Sequence, residues 1–337
     1  MLRFRVNGLA ALAAIALLLG CGDAADDSGG VEPIWSEAFD TSETFALFGV
    51  WGSAPDDVYI VGGTDRFAVI HHFDGEQWRE MEAPDVRALI WITGFAADDI
   101  YAVGLGGAVV HYDGNEWTVL DSGTGDDLWG IFGFDRDEMW IVGGDPFKEE
   151  PIPTMLRFDA EAETFDDIPV DAEANSRDAR SLFKVWGIGG TLFAAGQRGQ
   201  ILQYDGSDWV NSPGGGEADQ DFVALWGTSE DNIVMVGGRS NARLATWDGE
   251  RWTTRQESGL GGLNGVHMLD PAEAIIGGVE GFVGRYDVES EEIIAETQDV
   301  TTYDIHAVWG DGAGKHYAVA GDFLPPYEGA ALVRSVE

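Results

Sequence analysis

The chain has 337 residues, with 60 Asp and Glu against 19 Lys and Arg, a formal net charge of −41 at pH 7. A surface of that sign keeps a protein soluble and self-repelling, and it disfavours nucleic acid and anionic membrane surfaces as partners. The only cysteine is Cys21, so an internal disulfide is excluded, and thiol catalysis or a cysteine-held zinc is excluded from everything after it.

In chain order, Arg3 and Arg5 precede an apolar run over residues 9–19. That run is shorter than the about 20 residues of a helical membrane span, and residues 1–20 are predicted to be a secretory signal. The run ends Leu18-Leu19-Gly20-Cys21, which resembles the lipobox of bacterial lipoproteins. The resemblance implies that Cys21 is lipidated and becomes the new N-terminus, with the lipid as the sole membrane contact. Gly22, not aspartate, follows the cysteine; by the same resemblance the outer membrane or cell surface is favoured over the inner membrane. Residues 21–30 are small and polar and are predicted to be a flexible tether.

From about residue 46 onward one pattern recurs seven times at a step of roughly 40 residues, the range of radial repeat architectures. Three markers define each copy. The first is the glycine of Trp-Gly or its equivalent: Gly52, Gly94, Gly133, Gly187, Gly227, Met268 and Gly310. The second ends the next apolar run: Gly62, Gly104, Gly143, Gly196, Gly237, Gly277 and Ala320. The third is an aspartate opening a tight turn, Asp74, Asp113, Asp159, Asp205, Asp248 and Asp287, followed by Trp78, Trp117, Phe165, Trp209, Trp252 and Ile293.

Copy 1 predicts four strands, a to d, over residues 47–52, 58–63, 68–73 and 77–81. Strand b is apolar at successive positions, which means burial on both faces. Strand d is more polar, as an outer edge should be. Seven such copies predict an all-β, seven-bladed β-propeller of four-stranded antiparallel blades over residues 31–337. The last copy lacks a fourth strand, and residues 32–37 carry Trp35 in the manner of the other d strands. They are predicted to close the ring as strand d of blade 7.

The segments Val58-Tyr59-Ile60-Val61-Gly62-Gly63 and Tyr112-Asp113-Gly114-Asn115-Glu116-Trp117 resemble the kelch repeat, whose own step is nearer 50 residues. That resemblance implies a propeller that binds partners and only occasionally catalyses. The chain is also similar to tandem-repeat propellers of bacterial surface lipoproteins.

Length variation among the copies falls on the b–c and d–a loops, which share one face of a propeller. The long insertions are residues 145–153, 171–180, 211–221 and 322–329. Loops on a rigid scaffold commonly carry binding, so this face is the expected recognition face for a protein or glycan, with Arg66, Phe147, Lys148, Arg198, Arg239, Phe323 and Tyr327 as candidate contacts. Arg66, Arg198 and Arg239 are expected near the channel mouth, where they could grip a carboxylate, although ion pairing with the many acids is the plainer role.

Other constellations are read as structural. The turn acids Asp56-Asp57, Asp98-Asp99, Asp137-Glu138 and Glu230-Asp231 could contribute to calcium binding, but turn capping accounts for them. His72 and His111 hold equivalent repeat positions and His267 takes a tryptophan slot, which indicates packing, not ligation. Trp247-Asp248 looks like the WD dipeptide but falls in the Asp-Gly turn. No nucleophile elbow, Walker loop or zincin motif occurs. The expectation is a monomeric binding protein without cofactor or metal. The alternative is a carbohydrate-active hydrolase or lyase using two acids at the channel mouth.

Overall fold

A computed structural model describes residues 34–214, 220–296 and 300–335. The predicted signal over residues 1–20, Cys21 and the predicted tether over residues 21–30 lie outside the described residues. Seven four-stranded sheets are present, each ordered a–b–c–d with antiparallel neighbours. Blade 1 comprises Leu47–Ala54, Asp57–Gly63, Ala68–Phe73 and Trp78–Met81, within two residues of the predicted bounds. Blade 7 takes its fourth strand from the other end of the chain: Ile34–Glu37 pairs with Gly329–Ser335, Trp35 opposite Arg334. Ring closure therefore follows the expectation.

The Trp-Gly marker is a contact between blades. At four of the seven junctions the aromatic residue on strand a of one blade lies over the marker glycine of the next. A Cβ at Gly94 of blade 2 would stand 2.5 Å from the Trp51 ring of blade 1. A Cβ at Gly52 would stand 2.8 Å from the Trp309 ring of blade 7. Trp186 relates to Gly227, and His267 to Gly310, in the same direction around the ring. His267 thus does a tryptophan's packing, and burial, helped by the nearby His316, pushes its pKa down to about 4.

A second, outer set of ring contacts repeats at larger radius. Where strand d carries a tryptophan, it meets the b strand of the blade before it. Trp78 meets Tyr317, Trp117 meets Tyr59, Trp209 meets Trp140 and Trp252 meets Phe193, all edge to face with centroids 5.3–6.4 Å apart. Such pairs add about 0.5–1.5 kcal/mol each beyond area burial. In blade 7 Trp35 takes the same place against Ile275.

The second marker is also a close approach. A Cβ at Gly62 would overlap the Ala46 carbonyl, which accepts the Gly63 N–H at 2.8 Å. The same bond forms at Leu105, Gly144, Gln197, Gly238, Val279 and Gly321. In blade 6 the glycine opposite Leu263 is Gly278. The sequence assignment of Gly277 is therefore corrected by one residue: two successive glycines hid the register. The turn aspartates cap their own backbones. Asp74 Oδ1 accepts the N–H groups of Glu76 and Gln77 at 3.0 and 2.9 Å, and these bonds hold its carboxyl below the usual range.

Closure is reinforced by a buried charge cluster. Glu296, just past strand d of blade 6 (Ile293–Ala295), accepts a hydrogen bond from Arg334 Nη2 at 2.9 Å on one oxygen, and Arg285 Nε stands 2.6 Å from the same oxygen as an ion pair. The Trp35 indole N–H donates to its other oxygen at 3.0 Å. The Glu296 side chain is only 4% exposed. It thus ties the first strand, the last strand and blade 6 together.

Glu296→Ala leaves the buried Arg334 guanidinium without its carboxylate, while Arg285 keeps Glu273, and is expected to cost about 3–5 kcal/mol in urea unfolding; deleting residues 34–39 should lower the melting of the entire ring, and an unchanged melt would refute the clasp. Gly94→Ala pushes a methyl into the Trp51 ring and should cost about 1–3 kcal/mol, whereas an alanine at the open Gly125 should cost far less.

Candidate functional site

Every strand a contains a β-bulge at the same place. Pairing slips by one residue between Leu47 and Gly49, Leu89 and Trp91, Leu128 and Gly130, Leu182 and Lys184, Phe222 and Ala224, Leu263 and Gly265, and Ile305 and Ala307. A bulge re-aims its extra residue. Here the seven extra residues, Phe48, Ile90, Trp129, Phe183, Val223, Asn264 and His306, all line one cavity of about 410 Å³ at the channel mouth on the b–c face. A further cavity of about 400 Å³ opens from the opposite end.

Among the described residues only Trp91 and Lys184 line both cavities. They occupy the position after the bulge, where the other five blades carry Gly49, Gly130, Ala224, Gly265 and Ala307. The Lys184 ammonium group lies over the Trp91 ring, so the pair forms a partition across the channel. Lys184 is 2% exposed and its Nζ has no hydrogen-bond partner. Burial lowers its pKa well below the ordinary lysine value of 10.5.

The seven candidate contacts do not converge. Arg239 and Phe323 reach the mouth cavity. Phe323, from the blade 7 insertion, stacks on Phe48 at 4.3 Å and meets His306 edge-on at 5.0 Å. Arg239 is bound to Asp221 through Nη2 at 2.6 Å and Nε at 3.1 Å. Lys148 is held by Asp126, which also accepts the Thr154 hydroxyl at 2.7 Å. Phe147 beside it is 91% exposed. Arg66 lies farther out, in a hollow between blades 1 and 2, and Tyr327 stands beside Asp65 and Arg66.

Arg198 sits at φ +58° in a tight b–c turn, and its N–H donates to Asp221 Oδ1 at 3.0 Å. The same stitch joins Gly106 to Asp127 at 2.8 Å and Glu280 to Asp304 at 2.9 Å. In each case an aspartate just before strand a holds the b–c turn of the preceding blade. The short turns of blades 2, 4 and 6 are thereby braces, and the insertions fall on blades 3 and 7.

The histidines pack as the repeat register indicated. His72 and His111 contact Asp57 and Asp99 at 2.7 and 2.8 Å and stack on Tyr59 and Tyr101. His306 pairs with the Gly321 carbonyl at 2.7 Å, and burial lowers its pKa. Among the described residues no group of three or more His, Cys, Asp or Glu stands together as a metal site. Asp304 is the one carboxylate among the residues lining the mouth, so the acid pair of a glycosidase is not assembled from the described residues there.

No protein-family model and no curated protein matches the chain. Solved structures do. The chain is similar to a streptogramin B lyase (TM-score 0.70, 11% identity, 90% of this chain and 98% of that one). It is similar to the WD40 propeller domain of Doa1 (TM-score 0.68, 10% identity, 90% and 98%) and to YCF48 bound to D1 peptide (TM-score 0.66, 10% identity, 90% and 97%). At such identities the likeness establishes the propeller fold. Because it spans a lyase and a peptide-bound chain, the choice between catalysis and binding rests on the site.

Lys184 makes the site's electrostatics testable. Between its lowered folded pKa and 10.5 the unfolded chain binds one more proton than the folded one, so stability rises with pH across that window. Lys184→Met should remove this slope and raise stability at neutral pH, read from urea midpoints between pH 6 and 9. An unchanged slope would show that the ammonium is not desolvated.

Proposed function

We propose that this protein is a binding propeller, lipid-anchored through Cys21 in the bacterial cell envelope, that engages a protein or glycan across the face carrying the b–c and d–a loops. The observation that carries this reading is the mouth cavity. Phe48, Trp129, Phe183 and Phe323 give it aromatic walls, and Asn264, His306 and Arg239 supply a few polar groups. Concave, mostly apolar sites with few polar groups are the usual form of binding sites. Rigid strands aim the ring, while Phe323 and the exposed Phe147 stand on insertions beside it, so scaffold and recognition are separated. YCF48, of similar fold, holds a peptide, which supports a protein segment as the partner.

Two measurements test this. Cys21→Ser should move the protein from the membrane fraction to the soluble fraction, and retention in the membrane would overturn the anchor. For docking, Phe323→Ser together with Trp129→Ala should weaken retention of the partner from envelope extracts at least about tenfold, the scale of losing an aromatic anchor. Phe134→Ser, on the opposite cavity, should leave it intact. The reverse pattern would place docking on the other face.

A further inference from the structure

Five of seven blades keep glycine or alanine after the bulge, so the repeat by default leaves the channel open. Blades 2 and 4 depart from it with Trp91 and Lys184, which meet across the channel. A residue needed only to fill space there would be methionine or leucine, which carries no charge to desolvate. Burying an unpaired ammonium costs several kcal/mol in general, and such a group persists where something other than packing uses it. Among the described residues no carboxylate bonds the Lys184 ammonium group. Asp304 spends an oxygen on the Glu280 N–H, and Asp221 beside the cavity is taken by Arg239. Lys184 therefore presents an amino group with no hydrogen-bond partner, covered on one side by the Trp91 ring, at the floor of an aromatic vestibule.

We propose that the mouth cavity binds an apolar carboxylate, its hydrocarbon or aromatic body between Phe48, Trp129, Phe183 and Phe323 and its carboxylate on the Lys184 ammonium. This rests on the reading of that face as the binding face and names the chemistry of its ligand. Two sources share the chemistry, a free aromatic or aliphatic acid and the C-terminal carboxylate of a peptide ending in an apolar residue. The cavity, at about 410 Å³, is within the range of small-molecule sites.

Specificity follows from the unpaired charge. A carboxylate satisfies the ammonium, whereas the matching amide leaves it desolvated and unpaired. Binding must also raise the lysine pKa, so it takes up protons where the free protein's lysine is deprotonated. The other charged or titratable groups facing this pair are Arg239, Asp304 and His306 on the mouth side and Asp135 on the opposite side. Burial holds His306 below its ordinary 6.5, so a change above pH 7 belongs to Lys184.

The test is calorimetric titration of the full chain with 3-phenylpropionate and with 3-phenylpropionamide, at pH values from 6 to 10 and, at pH 8, in two buffers of different ionisation heat. The acid should bind at least tenfold more tightly than the amide, lose affinity as pH rises, and take up protons. Lys184→Met should abolish the preference for acid over amide while leaving amide binding in place. N-acetyl-Gly-Phe with a free C-terminus is the second arm. If it binds more tightly than phenylpropionate the source is a peptide terminus, and if more weakly, a free acid; its amidated form should lose the gain. Equal binding of acid and amide, or a preference that survives in Lys184→Met, would overturn the carboxylate while leaving the docking face standing. No binding of any probe would overturn the inference itself, and the docking face would still be judged by the Phe323 and Trp129 variants.

Discussion

A tryptophan ring of one blade lying on the glycine of the next is the contact on which the rest of this molecule depends. A four-stranded blade has two apolar faces and cannot bury either alone. The ring over glycine brings inner strands close enough for neighbouring blades to share one core, and the outer tryptophans hold the wider seam at larger radius. The spacing so fixed opens a channel, and the seven bulges aim seven side chains into its mouth. The site is thus a by-product of packing until individual blades depart from the pattern.

The same demand for neighbours makes the ring intolerant of an unpaired end. Glu296 is placed where both chain ends and blade 6 meet, and its carboxylate answers two guanidiniums and an indole at once. Elsewhere the large acidic excess is handled locally. Turn aspartates take backbone N–H groups, and aspartates before strand a brace the adjoining turns. Much of the −41 charge is therefore part of the turn chemistry, which leaves the charged residues of the channel as the exceptions.

The fold was legible because its markers are backbone requirements. Glycine at 52, 94 and 227 is demanded by a ring overhead, and aspartate at 74 and 113 by a turn. Trp35 could be placed because it repeats the d-strand signal. The clasp at Glu296 was not legible, since it lies just past a strand whose marker has decayed to Ile293 and its partners are far away in sequence. Loop lengths pointed to the face on which Phe323 stands and not to the mouth itself, and arginine positions alone misjudged reach: Arg66 lies in a hollow farther out, and Arg198 is not among the residues lining the mouth. Lys184 was visible in principle. Aligning the copies sets it against Gly49, Gly130, Ala224, Gly265 and Ala307, yet no periodicity shows that it meets Trp91 two blades away.

The central claim is that departures from the repeat, above all Lys184 against Trp91, turn a structural channel into a site. The most direct measurement is a nuclear magnetic resonance titration of the lysine side chains, tractable because only Lys148, Lys184 and Lys315 occur. The account predicts that the Lys184 ε-methylene resonances are shifted upfield by the Trp91 ring and titrate well below 10.5, and that the upfield shift vanishes in Trp91→Leu. A Lys184 resonance at ordinary lysine positions, titrating with the other two, would contradict it.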